Sequence, residues 1–262
     1  MGDARAGPEG SCELHMWERA VSLLLGYLFG SIMTADIVTK HYTGKTAHEI
    51  GSGNPGMTNV FRNVGWKQGL MVLAGDILKA VIPIALSYLL FYESVGKICV
   101  QYAGLGTVLG HDFSFMAHGH GGNGVTVSSV WLILGLGGWG FLAGMVAGSL
   151  VFFTGLMPLA AVALGIVSVI TAIFVADTET VILFSISCVI IIVRHRKGIM
   201  RMVRGEQEHT LKLTEMWTKH KAKKAAAEAA TEAGEDADEA AAAAAAAVDE
   251  QRPKRKTQQP MH

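Results

Sequence analysis

The residues from Gly51 to Arg62 read GSGNPGMTNVFR and combine three glycines and two asparagines with Ser52, Thr58 and Arg62. That composition suits an anion better than a core. Glycines allow backbone N–H groups to converge, and the two hydroxyls add donors. Arg62 carries a guanidinium whose fork matches phosphate oxygens. Pro55 and Gly56 interrupt regular structure, and the run into Val60 and Phe61 predicts a helix start capped by Thr58 or Asn59, where amides and dipole favour a negative group. An ordinary loop between helices has the same residue types, so the setting decides between the two readings.

Two other stretches carry chemistry. Gly110 to Ser129 reads GHDFSFMAHGHGGNGVTVSS, with His111, His118 and His120 among closely spaced glycines and Asn123 before an apolar run. Its glycines let backbone approach a ligand, or serve as turn residues. His118 and His120 flank a glycine without the closed ligand set that zinc requires, so no metal is expected. The third stretch begins at Arg194, His195, Arg196 and Lys197 and continues to Arg201 and Arg204. Standing alone, it reads as a topology signal and a lipid-headgroup surface.

The elements that position these residues must be membrane helices. Half of the residues are hydrophobic and only 17% are charged, too apolar for a soluble domain of this length. Residues 125–176 contain no charged side chain, enough for two or three crossings at roughly twenty residues each. The 22 basic and 22 acidic residues balance, which gives no basis for nucleic-acid binding. Cys12, Cys99 and Cys188 are odd in number and far apart, suggesting neither disulfides nor a zinc site. No cleavable signal peptide is evident, because Glu13, Glu18 and Arg19 precede the first apolar segment.

Taken in order, residues 1–13 form a polar segment, expected to be unstructured. A first crossing follows over 16–38, with Gly26, Gly30 and Ser31 as a close-packing face. The loop 40–67 carries an excess of lysine and arginine, which places it in the cytoplasm. A second crossing over 69–92 contains Asp76 and Lys79 at a spacing that allows an ion pair on one helix face, and Pro83 as a kink. A short third crossing, 95–109, returns to the second polar stretch. Gly140, Gly144 and Gly148 predict another close-packing face, turns fall at 154–158 and 177–180, and the last crossing is 181–193. Residues 206–262 form a low-complexity Ala/Glu/Lys tail without an apolar stripe, expected to be mobile and of fluctuating helicity.

The expected architecture is therefore an all-α polytopic membrane bundle of about seven transmembrane helices, with its membrane-embedded domain at 14–205. The N-terminus lies outside and the C-terminus in the cytoplasm, so both glycine loops and the basic cluster meet on the cytoplasmic side.

Three motifs in this order, GSGNPGMTNVFR, GHDFSF with HGHGGNGV, and RHRKGIMRMVRGEQE, resemble the acyl-phosphate-dependent glycerol-3-phosphate acyltransferases of bacterial membranes. The likeness runs from about Gly26 to Glu208. It implies a seven-helix enzyme of phospholipid biosynthesis in the cell membrane. Such an enzyme moves a fatty acyl group from acyl phosphate to the 1-hydroxyl of glycerol 3-phosphate, giving lysophosphatidic acid and phosphate, with no metal or cofactor. On the matching positions, Ser52, Arg62 and His195 are the implied catalytic residues. Gly51, Gly53, Asn54, Thr58, Asn59, His111, Gly121, Gly122 and Gly124 match the substrate-binding loops, and Asn123 stands with them. This chain departs from the family where lysines usually flank the paired glycines, here His120 and Asn123, and where an asparagine is usual in the last motif, here Gly198.

The mechanism expected is direct acyl transfer without a covalent enzyme intermediate. Loop amides and Arg62 hold two phosphate-bearing substrates, Asn123 assisting, while Ser52 binds a reacting phosphate or hydroxyl. His195 orients that group or acts as base, or a substrate phosphate oxygen takes the proton. Two other readings use the same residues: a homologue that binds a phosphate-bearing lipid or partner without transfer, and a small-anion transporter built around Asp76 and Lys79.

Overall fold

The computed structural model describes residues 8–204, and among these every regular element is a helix. They are α1 (Pro8–Gly30), α2 (Thr34–Thr43), α3 (Met57–Asn63), α4 (Trp66–Val95), α5 (Ile98–Asp112), α6 (Val125–Thr154), α7 (Met157–Val175) and α8 (Thr178–Val203). Helix α1 already begins at Pro8, inside the segment expected to be unstructured. The tail expected over 206–262 lies outside the described residues.

Among the described residues, five stretches are long and apolar enough to cross a membrane: His15–Thr43, Trp66–Val95, Val125–Val151, Met157–Val175 and Thr178–Val203. The first is α1 and α2 in series, broken at residues 31–33 where Ser31 returns both its amide and its hydroxyl to the Tyr27 carbonyl.

Helix α5 is only 15 residues long, about 22 Å at 1.5 Å per residue and short of a ~30 Å hydrocarbon layer. It tolerates this because it faces protein: α1, α4, α6 and α8 surround it. Its closest neighbour is α1. Gly26 and Gly30 sit against the backbone of Ala103 and Thr107, while Gly106 and Gly110 sit against that of Leu23 and Tyr27. The expected small-residue face on α1 is thus answered by one on α5, and the two backbones meet with no side chain between them. Trp131 of α6 stacks on Phe184 of α8 at 4.2 Å and donates to Gln101 of α5 at 2.9 Å, closing the core around the same helix.

Helix α6 is bent at Gly137 (φ 61°, ψ −134°). A straight helix would hold Leu132 and Gly140 about 12 Å apart, yet Gly140 packs on the Leu132 carbonyl. The chain therefore reverses, and α6 is a hairpin of two arms. With α5 and the two arms counted separately, the bundle has the seven membrane segments expected. The close-packing face expected at Gly140, Gly144 and Gly148 is displaced. Nothing lies within 4 Å of where a side chain would start on Gly144 or Gly148, and Ala143 and Ala147, one residue earlier, are buried instead.

The two ends of the bundle differ in chemistry. At one end Arg19 pairs with Glu179 at 2.9 Å, and Tyr102 donates to the same carboxylate at 2.9 Å. At the other lie the loop after α2, the loop after α5 and the last turns of α8.

Candidate active site

The first loop is built by hydrogen bonds that its own residues make. Glu49 accepts from the amide and hydroxyl of Thr46, both at 2.7 Å, and the Thr46 amide and hydroxyl hold its carboxyl below the ordinary value. Asp36 of α2 accepts from the Ala47 amide at 2.8 Å. Gly51 and Gly53 take left-handed conformations (φ 52° and 71°), which favour glycine. Asn59 sits beneath them, 4% exposed. Its oxygen accepts from Ser52 N at 2.9 Å and from Asn63 Nδ2 at 3.0 Å, and its nitrogen donates to the carbonyls of Ala47 and Ile50.

All four hydrogen-bonding positions of that amide are thus occupied. Asn59 shapes the loop in this structure and contributes no donor to a ligand. The expected cap is also corrected: Gly56 precedes the first turn, and α3 is a single seven-residue helix. What the loop presents outward is Ser52, exposed, with half-buried Asn54 and Thr58 beside it and Arg62 exposed on α3. Asn54 N approaches Ser52 Oγ at 3.4 Å.

The second loop folds back onto the end of α5. Gly121 N donates to Asp112 O at 3.2 Å and Gly122 N to His111 O at 3.0 Å. The α-carbon of Gly122 lies against His111 Nε2, and that of Gly124 faces the Asp112 carboxylate. Those two amides are therefore turned inward, and the expectation that they cradle phosphate is corrected. The carbonyls of the same residues face α8, where Arg194 Nη2 donates to Gly121 O at 2.6 Å and Gly122 O at 2.7 Å. Asn123, half-buried, is the polar side chain of this segment. His118 and His120 are exposed turn residues, His120 Nδ1 approaching the His118 carbonyl at 3.0 Å.

The third motif lies on a helix, not after one, since α8 runs unbroken through the basic residues to Val203. His195 is buried, with Nδ1 2.9 Å from the Ile191 carbonyl. A carbonyl only accepts, so Nδ1 carries a proton, and Nε2 holds the lone pair when the ring is neutral. Gly198 packs against Pro158 at the start of α7 so tightly that a Cβ there would come within 2.7 Å of the proline ring.

A buried polar chain joins the two halves. Thr34 Oγ1 donates to Asp76 at 2.5 Å, Asp76 pairs with Lys79 at 2.9 Å, and Lys79 Nζ lies 2.7 Å from His111 Nδ1 and 3.0 Å from the Ile32 carbonyl. The ion pair expected from spacing is present, and it runs from the α1–α2 break to the second loop. His111, Gly121, Gly122, Gly124 and the Arg194–His195 turn form one cluster. Gly51, Ser52, Gly53, Asn54, Thr58, Asn59 and Arg62 form another. Ser52 and His195 share no hydrogen bond among the described residues. Arg194, read from sequence as a topology charge, is the residue that pins the second loop. Asp36 of α2, not singled out from the sequence, ties the first loop to that helix. Neither role has a local sequence signal, because each partner is supplied by another element.

A membrane helix bundle with glycine loops, a presented serine and arginine, and a buried histidine at one end defines a class: integral membrane enzymes that handle phosphate-bearing substrates beside the bilayer. Residues 20–205 match the model of the family described as glycerol-3-phosphate acyltransferase, and the chain belongs to that family. It is 38% identical over 186 residues to glycerol-3-phosphate acyltransferase of Bacillus subtilis, covering 70% of this chain and 93% of that protein. A match at 32% identity to the Photobacterium profundum protein of that name covers 74% and 90%. Glycerol-3-phosphate acyltransferase 1 of Lactobacillus johnsonii is 40% identical over 113 residues, where the chain spans 54% of that relative. In structure it is similar to PlsY (YgiH), an integral membrane glycerol 3-phosphate acyltransferase. Against the glycerol 3-phosphate form the TM-score is 0.68 at 25% identity, covering 76% of this chain and 98% of that one. Against the lysophosphatidic acid form it is 0.64 at 25% identity, covering 73% and 94%.

Proposed function

We propose that this protein transfers a fatty acyl group from an acyl phosphate to the 1-hydroxyl of glycerol 3-phosphate, releasing phosphate and forming 1-acylglycerol 3-phosphate, lysophosphatidic acid. The observation that carries the reading is the first loop, where buried Asn59 and two left-handed glycines hold Ser52, with exposed Arg62 following on α3, at the end of the bundle that also bears His195.

In this reading the glycerol oxygen attacks the acyl carbonyl, a new C–O bond forms, and the acyl–phosphate C–O bond breaks with its electron pair leaving on phosphate. Arg62 neutralises phosphate charge and Ser52 donates to a reacting phosphate or hydroxyl oxygen. The hydroxyl proton passes to the Nε2 lone pair of His195 or to a substrate phosphate oxygen. Asn123 assists as a neutral donor. No metal or cofactor takes part. The acyl chain lies among the helices. The membrane-embedded domain is residues 14–205, in the cell membrane, with the N-terminus outside and the site on the cytoplasmic side, as the lysine- and arginine-rich loops favour.

The test is inorganic phosphate release by purified protein given palmitoyl phosphate and glycerol 3-phosphate. Release that requires both substrates, and that falls about a hundredfold or more in Ser52→Ala and in Arg62→Ala while each variant still inserts, is the expected result. Full activity in both variants overturns the assignment. Binding of glycerol 3-phosphate without turnover would instead make the protein a phosphate-lipid binding homologue.

A further inference from the structure

The second loop begins at a depth that helix lengths fix in several separate ways. The Arg19–Glu179 pair marks one edge of the bundle, where charges can stay in contact with water. From Glu179, α8 takes about 27 Å to bring exposed Lys197 to the opposite edge, close to the ~30 Å of a hydrocarbon layer. The loop starts well short of that second edge. Helix α5 rises only about 22 Å from exposed Lys97 before the loop begins, and the first arm of α6, residues 125–136, spans about 18 Å on leaving it. The Ser114 hydroxyl bonds the Ser31 carbonyl, which sets the root of the loop at the α1–α2 break, about 18 Å beyond Arg19 and inside the apolar stretch His15–Thr43. Tilt shortens each of these reaches further. The loop therefore begins roughly 8–12 Å inside the far edge of the hydrocarbon layer.

At that depth the loop carries an apolar flank. Phe113, Phe115 and Met116 are exposed, and so are Leu24 and Leu28 one turn apart on α1. Between those leucines Tyr27 joins the two surfaces: its hydroxyl donates to the Phe113 carbonyl at 3.2 Å, and its ring lies 6.1 Å from that of Phe115. The guanidinium of Arg194 sits 5.5 Å from the Phe113 ring and bonds the Gly121 and Gly122 carbonyls, the pairing an arginine needs at membrane depth. Irregular backbone is tolerated there only where protein or water covers its polar groups; Ser114, Gly121 and Gly122 are buried, and the polar residues His118 and His120 are exposed. We propose that residues 113–124 form a re-entrant loop within the leaflet on the site's side of the bilayer, and that Phe113, Phe115 and Met116 are its interaction surface for lipid acyl chains. Lipid is the occupant because the patch continues the outer face of a membrane-crossing helix at hydrocarbon depth. The candidate site thus has one wall that meets the bilayer directly, whichever reaction it performs.

The experiment measures depth in the bilayer. In a full-length background without Cys12, Cys99 and Cys188, nitroxide labels are placed singly through Phe115→Cys and Met116→Cys, with Leu28→Cys and Lys197→Cys as references for acyl chains and for the membrane edge. The proteins are held in vesicles of phosphatidylcholine and phosphatidylglycerol, and collisions of each label with oxygen and with a water-soluble nickel chelate are compared. Both side chains are exposed, so a label displaces no packed neighbour and the melting temperature should stay at that of the unlabelled background. Labels at 115 and 116 should meet the chelate several-fold less often than the label at 197 and should meet oxygen nearly as often as the label at 28. Lipids carrying a nitroxide on the acyl chain should quench a fluorophore at either position more strongly than lipids carrying it on the headgroup. Chelate collisions at 115 and 116 equal to those at 197 would put the loop outside the leaflet and overturn the proposal. Low collision rates with both reagents would overturn it too, because protein would then cover the patch. Neither result depends on turnover, so the acyltransferase reading stands or falls separately on phosphate release.

Discussion

Two residues show how much a single side chain decides at this site. Asn59 makes four hydrogen bonds inside the first loop and is almost wholly buried. Asn59→Ala removes these partners and leaves the Ala47 and Ile50 carbonyls and the Ser52 amide to find others, a loss of about 1–3 kcal/mol. Thermal unfolding in detergent should show that loss, together with a fall in phosphate release because Ser52 is no longer held. At Gly198 the resemblance suggests that restoring the asparagine would restore function, and the structure gives the opposite expectation. A side chain at 198 meets the Pro158 ring, which cannot rotate away, so Gly198→Asn should destabilise α7 against α8 by about 1–3 kcal/mol. Combining it with Pro158→Ala should recover most of the melting temperature; a Gly198→Asn protein as stable as wild type would refute this account of the position.

At the scale of elements, the central relation is α1 against α5. A 15-residue helix too short for the bilayer is stable here because glycines from both helices bring the backbones together. Gly106→Val would drive a side chain into the Leu23 carbonyl and part the helices, at a cost of about 1–3 kcal/mol or more. Because the Ser114 hydroxyl donates to the Ser31 carbonyl at 2.6 Å beside the α5 end, the damage should reach the site: thermal stability and phosphate release should fall together. Loss of neither would mean that α1 and α5 do not need this approach. The α6 hairpin is the second such relation. Only a chain that returns at Gly137 lets Pro158 arrive beside Gly198, at the end of the bundle where Arg194 holds the second loop.

For the whole molecule, the two loops and the α8 terminus share one end while Arg19, Tyr102 and Glu179 close the other. The proposed orientation puts the first end in the cytoplasm. In a background without Cys12, Cys99 and Cys188, a cysteine at Lys45 should be shielded from an impermeant thiol reagent added to intact cells. One at Lys97, between α4 and α5, should react. The reverse pattern would invert the topology and remove the site from a cytoplasmic acyl donor.

Much of this was legible in the sequence because it is local. Uncharged runs near twenty residues specify crossings through the cost of unpaired backbone in lipid. The Gly51–Arg62 composition specifies a turn, and a spacing of three puts Asp76 beside Lys79 on one helix face. The helix count, the first motif and the ion pair followed from such short-range rules. Tertiary structure alone decided the rest. His111 meets Lys79 across 32 positions, Arg194 meets Gly122 across 72, and Gly198 is held by Pro158. Asn59 is a clamp within the first loop because Ala47, Ile50, Ser52 and Asn63 converge on its amide, and the Gly121 and Gly122 amides turn inward because they fold back on the end of α5. Spacing along a chain says which residues share a helix face; which faces meet depends on how whole helices pack, and that is where the partner of His111 or the direction of a glycine amide is settled.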